Sequence, residues 1–288
     1  MRELLASAPD TVLRVLAELE GLPDDATGAL AYGPEGQLSG VVLLEQGRVC
    51  WAASQGLRRR LTDLLRQRCA PPLTEGEVES LVQVCRQRGT PVGETLVAAG
   101  HLAPAALRNA LLQHTTESLA ASSAWPTEPR WVPHRARGYL SAYTFHPVEI
   151  LTWASTLEHG EALVTTAYER LELVHGEWTA AVFDRPGETL LACRLCPGAR
   201  AELQSLRQAG AWAARNLLDF GQRSEVVKFA FDGRGGTWVG WRDGGFTTLA
   251  HCRHRDEFST LMRGLQRLGW TSAVHSSEPL HAAQAAAP

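Results

Sequence analysis

Two clusters in this chain combine residue types that chemistry can use. Cys193-Arg-Leu-Cys196 is a CxxC pair, and His251-Cys252-Arg-His254 adds imidazole and a third thiol. Cys193, Cys196, Cys252 and His254 together have the composition of a four-ligand zinc set. A thiol catalyst would also need a base and an orienting group converging on one cysteine, and no spacing in the chain supplies them. Acidic pairs such as Glu169 and Glu172 recur at a helical step and read as a solvated face. Gly233-Arg-Gly-Gly236 lies between two predicted strands, whereas a phosphate-cradling loop leads into a helix N-terminus. It reads as a hairpin turn, so no catalytic residue and no cofactor is expected.

The elements that would carry those residues are legible from periodicity. Trp178 to Asp184 and Thr189 to Leu195 are apolar runs joined by Arg185-Pro186-Gly187-Glu188, a hairpin pattern. Glu225 to Phe231, Gly236 to Trp241 and Phe246 to Cys252 are separated by glycine-rich turns and form a meander. Amphipathic segments stand before the hairpin (Ala162 to Val174), between the two sets of strands (Gly198 to Phe220) and after the meander (Asp256 to Leu268). The order α-β-β-α-β-β-β-α predicts an α+β domain, a five-stranded antiparallel sheet sandwiched by helices.

Upstream, Asp10 caps a predicted helix that runs to Glu20 and stops at Gly21. Gly28 to Tyr32, Leu38 to Leu44 and Arg48 to Ala53 form a small β meander, followed by a helix from Leu57 to Cys69. From Thr74 to Ser122 the period is helical, with Thr74-Glu-Gly-Glu77 as an N-cap and acidic first turn. Residues 122–157 carry four prolines among six aromatics, including Trp125, Trp131, Phe145 and Trp153. Linkers are polar and poor in aromatics, so this segment is expected to add a strand or two and a helix. The expected organisation is 1–121 (β meander plus helical module), 122–157 (connecting segment), 158–270 (the second α+β domain) and 271–288 (a loosely ordered tail).

Composition limits the partners. At 288 residues and 44% hydrophobic content the chain suffices for two domains. A formal charge of −3, with Arg58-Arg-Arg60 the only basic run, gives no field for nucleic acid. No apolar run approaches the ~20 residues a spanning helix needs, so no membrane insertion is expected. Six cysteines in a chain of this size do not make a disulfide framework. The N-terminus lacks a signal-peptide core, and the expected location is the cytoplasm.

The stretch from Thr27-Gly-Ala-Leu30 through Leu44-Glu-Gln-Gly47-Arg-Val-Cys-Trp-Ala52 to Leu65 resembles the bacterial PATAN-type domain of signalling and gliding-regulator proteins. Gly89-Thr-Pro-Val-Gly93-Glu-Thr-Leu96-Val-Ala-Ala-Gly100-His-Leu102, with Leu107 and Leu111, resembles the helical N-terminal module of type II secretion and pilus ATPases. Some of those modules bind cyclic di-GMP, which gives an alternative reading as a second-messenger or small-ligand sensor using residues 89–113. The resemblance is structural, because the arginine that opens the nucleotide motif is Pro91 here, followed by Val92. His114 stands where a glutamine is expected, with Gln113 one place early. Phosphate recognition wants the missing guanidinium.

Residues Glu172 to Gly187, the long central helix, and Thr237-Trp-Val-Gly-Trp241-Arg-Asp-Gly-Gly245-Phe resemble the Roadblock family, which includes dynein light chains and partners of small Ras-like GTPases. The resemblance implies a non-enzymatic bacterial regulatory or scaffold protein that forms a homodimer through the sheet edge and the long helix. The pair would then be offered to a small GTPase or another signalling protein. On that helix Ala199, Leu203, Leu206, Gly210, Ala213, Leu217 and Phe220 recur at alternating steps of four and three, a seam that faces either a second subunit or its own sheet. Trp212 lies off the seam and is a candidate partner contact. A Roadblock-like sheet would hold the CxxC and the His-Cys-Arg-His run about 9 to 10 Å apart, two strand spacings, too far for a tetrahedral zinc site. No metal is therefore expected.

Overall fold

The computed structural model describes residues 8–57, 59–126, 128–136, 138–172, 174, 178–184, 189–196, 202–217, 227–233, 236–243 and 245–267. The chain divides into two units, Pro23–Trp153 and a second made of Met1–Leu22 with Ala154–Pro288. Helix α1 (Ala8–Ala17) therefore belongs with the C-terminal elements, and the expectation that residues 1–121 group together is corrected at its first 22 positions. Val12, Leu13, Val15 and Leu16 of the helix, and Leu19 in the 3-10 turn that follows it (Glu18–Gly21), are each no more than 2% exposed, so this apolar face is spent there.

In the unit Pro23–Trp153, strands β1 (Gly28–Tyr32), β2 (Gly40–Glu45) and β3 (Arg48–Ser54) form the expected meander. The β2–β3 turn needs left-handed backbone at two successive residues, which Gln46 and Gly47 adopt. Helices α2 (Leu61–Arg68), α3 (Glu75–Arg88), α4 (Val92–Ala98) and α5 (Pro104–Ala120) follow. Helix α2 starts later than its apolar period suggests, because the Asp63 carboxylate accepts from the Arg60 amide at 3.1 Å and fixes the first turn there. The predicted cap at Thr74 is present: its amide donates to Glu77 Oε2 at 2.7 Å, and the Glu77 amide donates back to the Thr74 hydroxyl. Leu64, Leu65, Leu96, Leu102, Leu107 and Ala110 form the core of this helical group.

The proline-rich segment supplies a fourth strand, β4 (Arg130–Pro133), antiparallel to β1, giving the order β3-β2-β1-β4. Its aromatics close the sheet. The Trp131 and Trp125 rings lie where a Cβ on Gly28 or Gly40 would be, and Trp125 Nε1 donates to Ser54 Oγ at 3.0 Å. Phe145 is tied to Val49 by reciprocal backbone bonds of 2.8 and 3.0 Å just before α6 (Pro147–His159) begins.

The second unit is α+β, as the sequence order predicts. Helix α7 (Glu161–Glu172) leads to the hairpin β5 (Thr179–Asp184) and β6 (Leu190–Arg194). Helix α8 (Leu203–Leu217) then precedes the meander β7 (Val227–Gly233), β8 (Gly236–Asp243) and β9 (Phe246–Cys252), and α9 (Arg255–Arg267) follows. All neighbouring strands are antiparallel in the order β6-β5-β9-β8-β7. One face packs on α7 and α9 through Ala167, Leu171, Val182, Trp241, Ala250 and Leu261. The other face carries α8 and α1. The central position of β9 explains why Thr247 through Cys252 are all buried.

Candidate interaction surface

The α8 seam faces inward. Leu203, Leu206 and Ala213 are fully buried within this chain, and Gly210 is buried against Phe183 of β5. A Cβ at Gly210 would stand 2.6 Å from the Phe183 ring, so glycine is what allows the helix backbone to lie on the sheet at that point. The assignment of Leu203, Leu206, Gly210 and Ala213 to a dimer interface is therefore corrected. A small-residue heptad seam serves a helix–sheet contact as well as a helix–helix contact, and here the sheet takes it. Leu217 is the last residue of α8, while Ala199 and Phe220 lie outside the described residues.

Trp212 is also engaged within the chain. Its ring stacks on Phe231 of β7, with centroids 3.8 Å apart and planes at 17°, and lies 5.8 Å from Phe229. The indole is half-buried and ties α8 to the strand at the sheet edge. What α8 leaves outside is Arg207, Ala211, Arg215 and Asn216, all exposed. Strand β7 pairs only with β8 among the described strands, so its outer edge is a row of backbone donors and acceptors. Lys228, the chain's single lysine, sits in that strand.

The candidate zinc ligands do not converge. Register places Cys193 opposite Ala181 and Ala181 opposite Leu249, on the α8 face, whereas Cys252 packs on the α7 and α9 face with Ala250. His254 is exposed beyond β9, its amide donating to Glu257 Oε2 at 3.1 Å. Cys196 is half-buried, its amide donating to Thr179 Oγ1 at 2.9 Å. Among the described residues no group of three or more His, Cys, Asp and Glu side chains has metal-binding geometry. All six cysteines are free thiols. Burial pushes Cys50, Cys193 and Cys252 up to about 12, which withholds the thiolate a nucleophile needs.

Sequence reasoning missed one buried polar cluster. Glu202, at the entry to α8, is 4% exposed and accepts from Nε and Nη2 of Arg253. His251 of β9, also 4% exposed, has Nδ1 3.5 Å from the same carboxylate oxygen and stacks on Trp238 of β8 at 4.6 Å. The Arg253 and His254 amides both donate to Glu257, so the cluster joins the start of α8 to the start of α9. Glu202 and Arg253 lie 51 positions apart in the chain, and the packing of the start of α8 against the end of β9 brings them together, while β8–β9 pairing sets Trp238 opposite His251.

In the helical module, Gly93 packs under Leu107, Gly89 and Gly100 close helix ends with left-handed backbone, and Pro91 caps α4. Its residues thus have structural roles. His114 is buried and stacks parallel to Trp51 at 6.3 Å, its pKa lowered by burial. No helix among the described residues is long and apolar enough to cross a membrane. No protein-family model matches the chain, and no curated protein or solved structure is significantly similar to it.

Proposed function

We propose that the chain is a non-enzymatic regulatory or scaffold protein of the bacterial cytoplasm, whose C-terminal unit pairs with a second copy and presents the pair to a small Ras-like GTPase or another signalling protein. The observation that carries this reading is the strand order β6-β5-β9-β8-β7 with α8 over the β7 side. It is the arrangement that the resemblance to Roadblock domains implies, and it leaves β7 at an edge. Because the α8 seam is spent inside the chain, pairing uses the β7 backbone and the outer face of α8 instead. Edge-to-edge addition satisfies main-chain groups on both strands, and the rigid Trp212–Phe231 stack holds the edge in a fixed shape.

Light scattering tests the pairing. The reading requires a mass of twice the chain's 31.4 kDa at micromolar concentration, and a strict monomer would refute it. Partner class is read by comparing captures from host lysate loaded with GDP or a non-hydrolysable GTP analogue. A GTPase enriched in only one of the two supports the GTPase reading.

A further inference from the structure

Strand β7 reads Val227-Lys-Phe-Ala-Phe-Asp-Gly233, seven residues with Ala230 in the middle. Phe229 and Phe231 lie on the α8 face, where Trp212 meets both rings. By the alternation of a strand, positions 228, 230 and 232 fall on the other face, and Ala230 packs there against the α7–α9 core. Asp232 is exposed, with Oδ1 accepting from the Thr237 hydroxyl at 2.9 Å. The hairpin to β8 decides which backbone groups are open. Gly233 stands opposite Gly236 across two residues, so this closing pair exchanges its hydrogen bonds inward, and so does every second residue before it. The amides and carbonyls turned to the open edge are those of Lys228, Ala230 and Asp232.

We infer that β7 is self-complementary and pairs antiparallel with β7 of a second copy in the register centred on Ala230, which sets Lys228 opposite Asp232 of that copy and Asp232 opposite its Lys228. In this register the strands overlap along their whole length, and every outward amide finds an outward carbonyl. Moving the centre to Phe229 or Phe231 sets Ala230 opposite a lone charge and carries the other charged residue past the end of the strand. Opposite charges directly across an antiparallel pair stabilise it and like charges oppose it, and the twofold axis repeats the effect on both sides of Ala230. On the α8 face Phe229 comes opposite Phe231 of the copy, so apolar meets apolar there as well. The inference rests on reading the chain as a dimer joined at β7. It adds the register and the source of specificity, because a foreign strand would need base and acid at the same spacing.

Zero-length carbodiimide coupling of the full chain tests it, because Lys228 is the only lysine. The expected product is a covalent dimer in which mass spectrometry finds Lys228 joined to Asp232. Along one strand these residues are about 13 Å apart, so the link forms only between copies. In sedimentation equilibrium Lys228→Asp and Asp232→Lys each raise the dissociation constant about tenfold or more. An equimolar mixture of the two variants regains wild-type association as a heterodimer, since each charge then meets its opposite, and that recovery shows both variants to be folded. A wild-type dimer that couples Lys228 to a different carboxylate, or variants that associate as before and gain nothing on mixing, would overturn the register and leave dimerisation standing. Tighter association of Lys228→Ala would mean that the lysine guards the edge against pairing, which also overturns the register. A wild-type monomer at every concentration removes the pairing itself, and the register with it.

Discussion

Gly210 shows how much a single atom decides in this protein. Adding a Cβ places a carbon 2.6 Å from the Phe183 ring, so the ring or the helix must shift to admit it. Overpacking of this kind costs about 1–3 kcal/mol, while replacing a helical glycine by alanine returns at most about 1 kcal/mol. Gly210→Ala is therefore expected to lower the urea midpoint, and a stabilised variant would contradict the packing. His114 makes a second residue-scale prediction. Burial lowers its pKa from 6.5, against the opposing pull of Glu117 and a backbone bond to Ala52. The unfolded chain then binds more protons than the folded one below about pH 6.5, so stability falls as pH falls through that range. His114→Gln should flatten the pH dependence of the unfolding free energy between pH 5 and about 7; an unchanged slope would mean that His114 takes up its proton in the folded state. Neither property is visible from spacing. The sequence shows a glycine on an apolar stripe and a histidine in a helix, but which ring each meets depends on strands far away in the chain.

Elements were more legible than residues. The hairpin and the meander announce themselves through apolar runs punctuated by glycine, and β5 to β9 fall within a few residues of those runs. Strand β4 was harder to see, since Arg130-Trp-Val-Pro133 is short, flanked by prolines and recognisable only by its pairing with β1. Helix α1 presented the reverse problem. Its apolar stripe is plain in the sequence, yet a stripe does not state what it faces, and chain proximity suggested the wrong neighbour. Five aliphatic side chains buried to 2% exposure or less contribute on the order of 10 kcal/mol as an upper bound. Removing residues 1–22 should therefore lower the melting temperature of the C-terminal unit and raise binding of a hydrophobic dye to its α8 face. Unchanged melting and no dye binding would show that α1 is not part of that unit's core.

At the scale of the whole molecule, the described residues form a four-stranded and a five-stranded antiparallel sheet, each backed by helices, and the α+β class was readable from element order alone. The seam on α8 could not be assigned from sequence, because the same alternation of four and three steps satisfies a partner helix or a sheet. The structure gives Leu203, Leu206, Gly210 and Ala213 to the sheet, and under the proposed pairing β7 becomes the element on which the functional account depends. Amide hydrogen exchange along β7 at dilute and at micromolar concentration is the most direct measurement. The account predicts that Val227–Gly233 amides pointing away from β8 become protected as concentration rises, in step with the doubling of mass; amides that exchange freely at every concentration would contradict it.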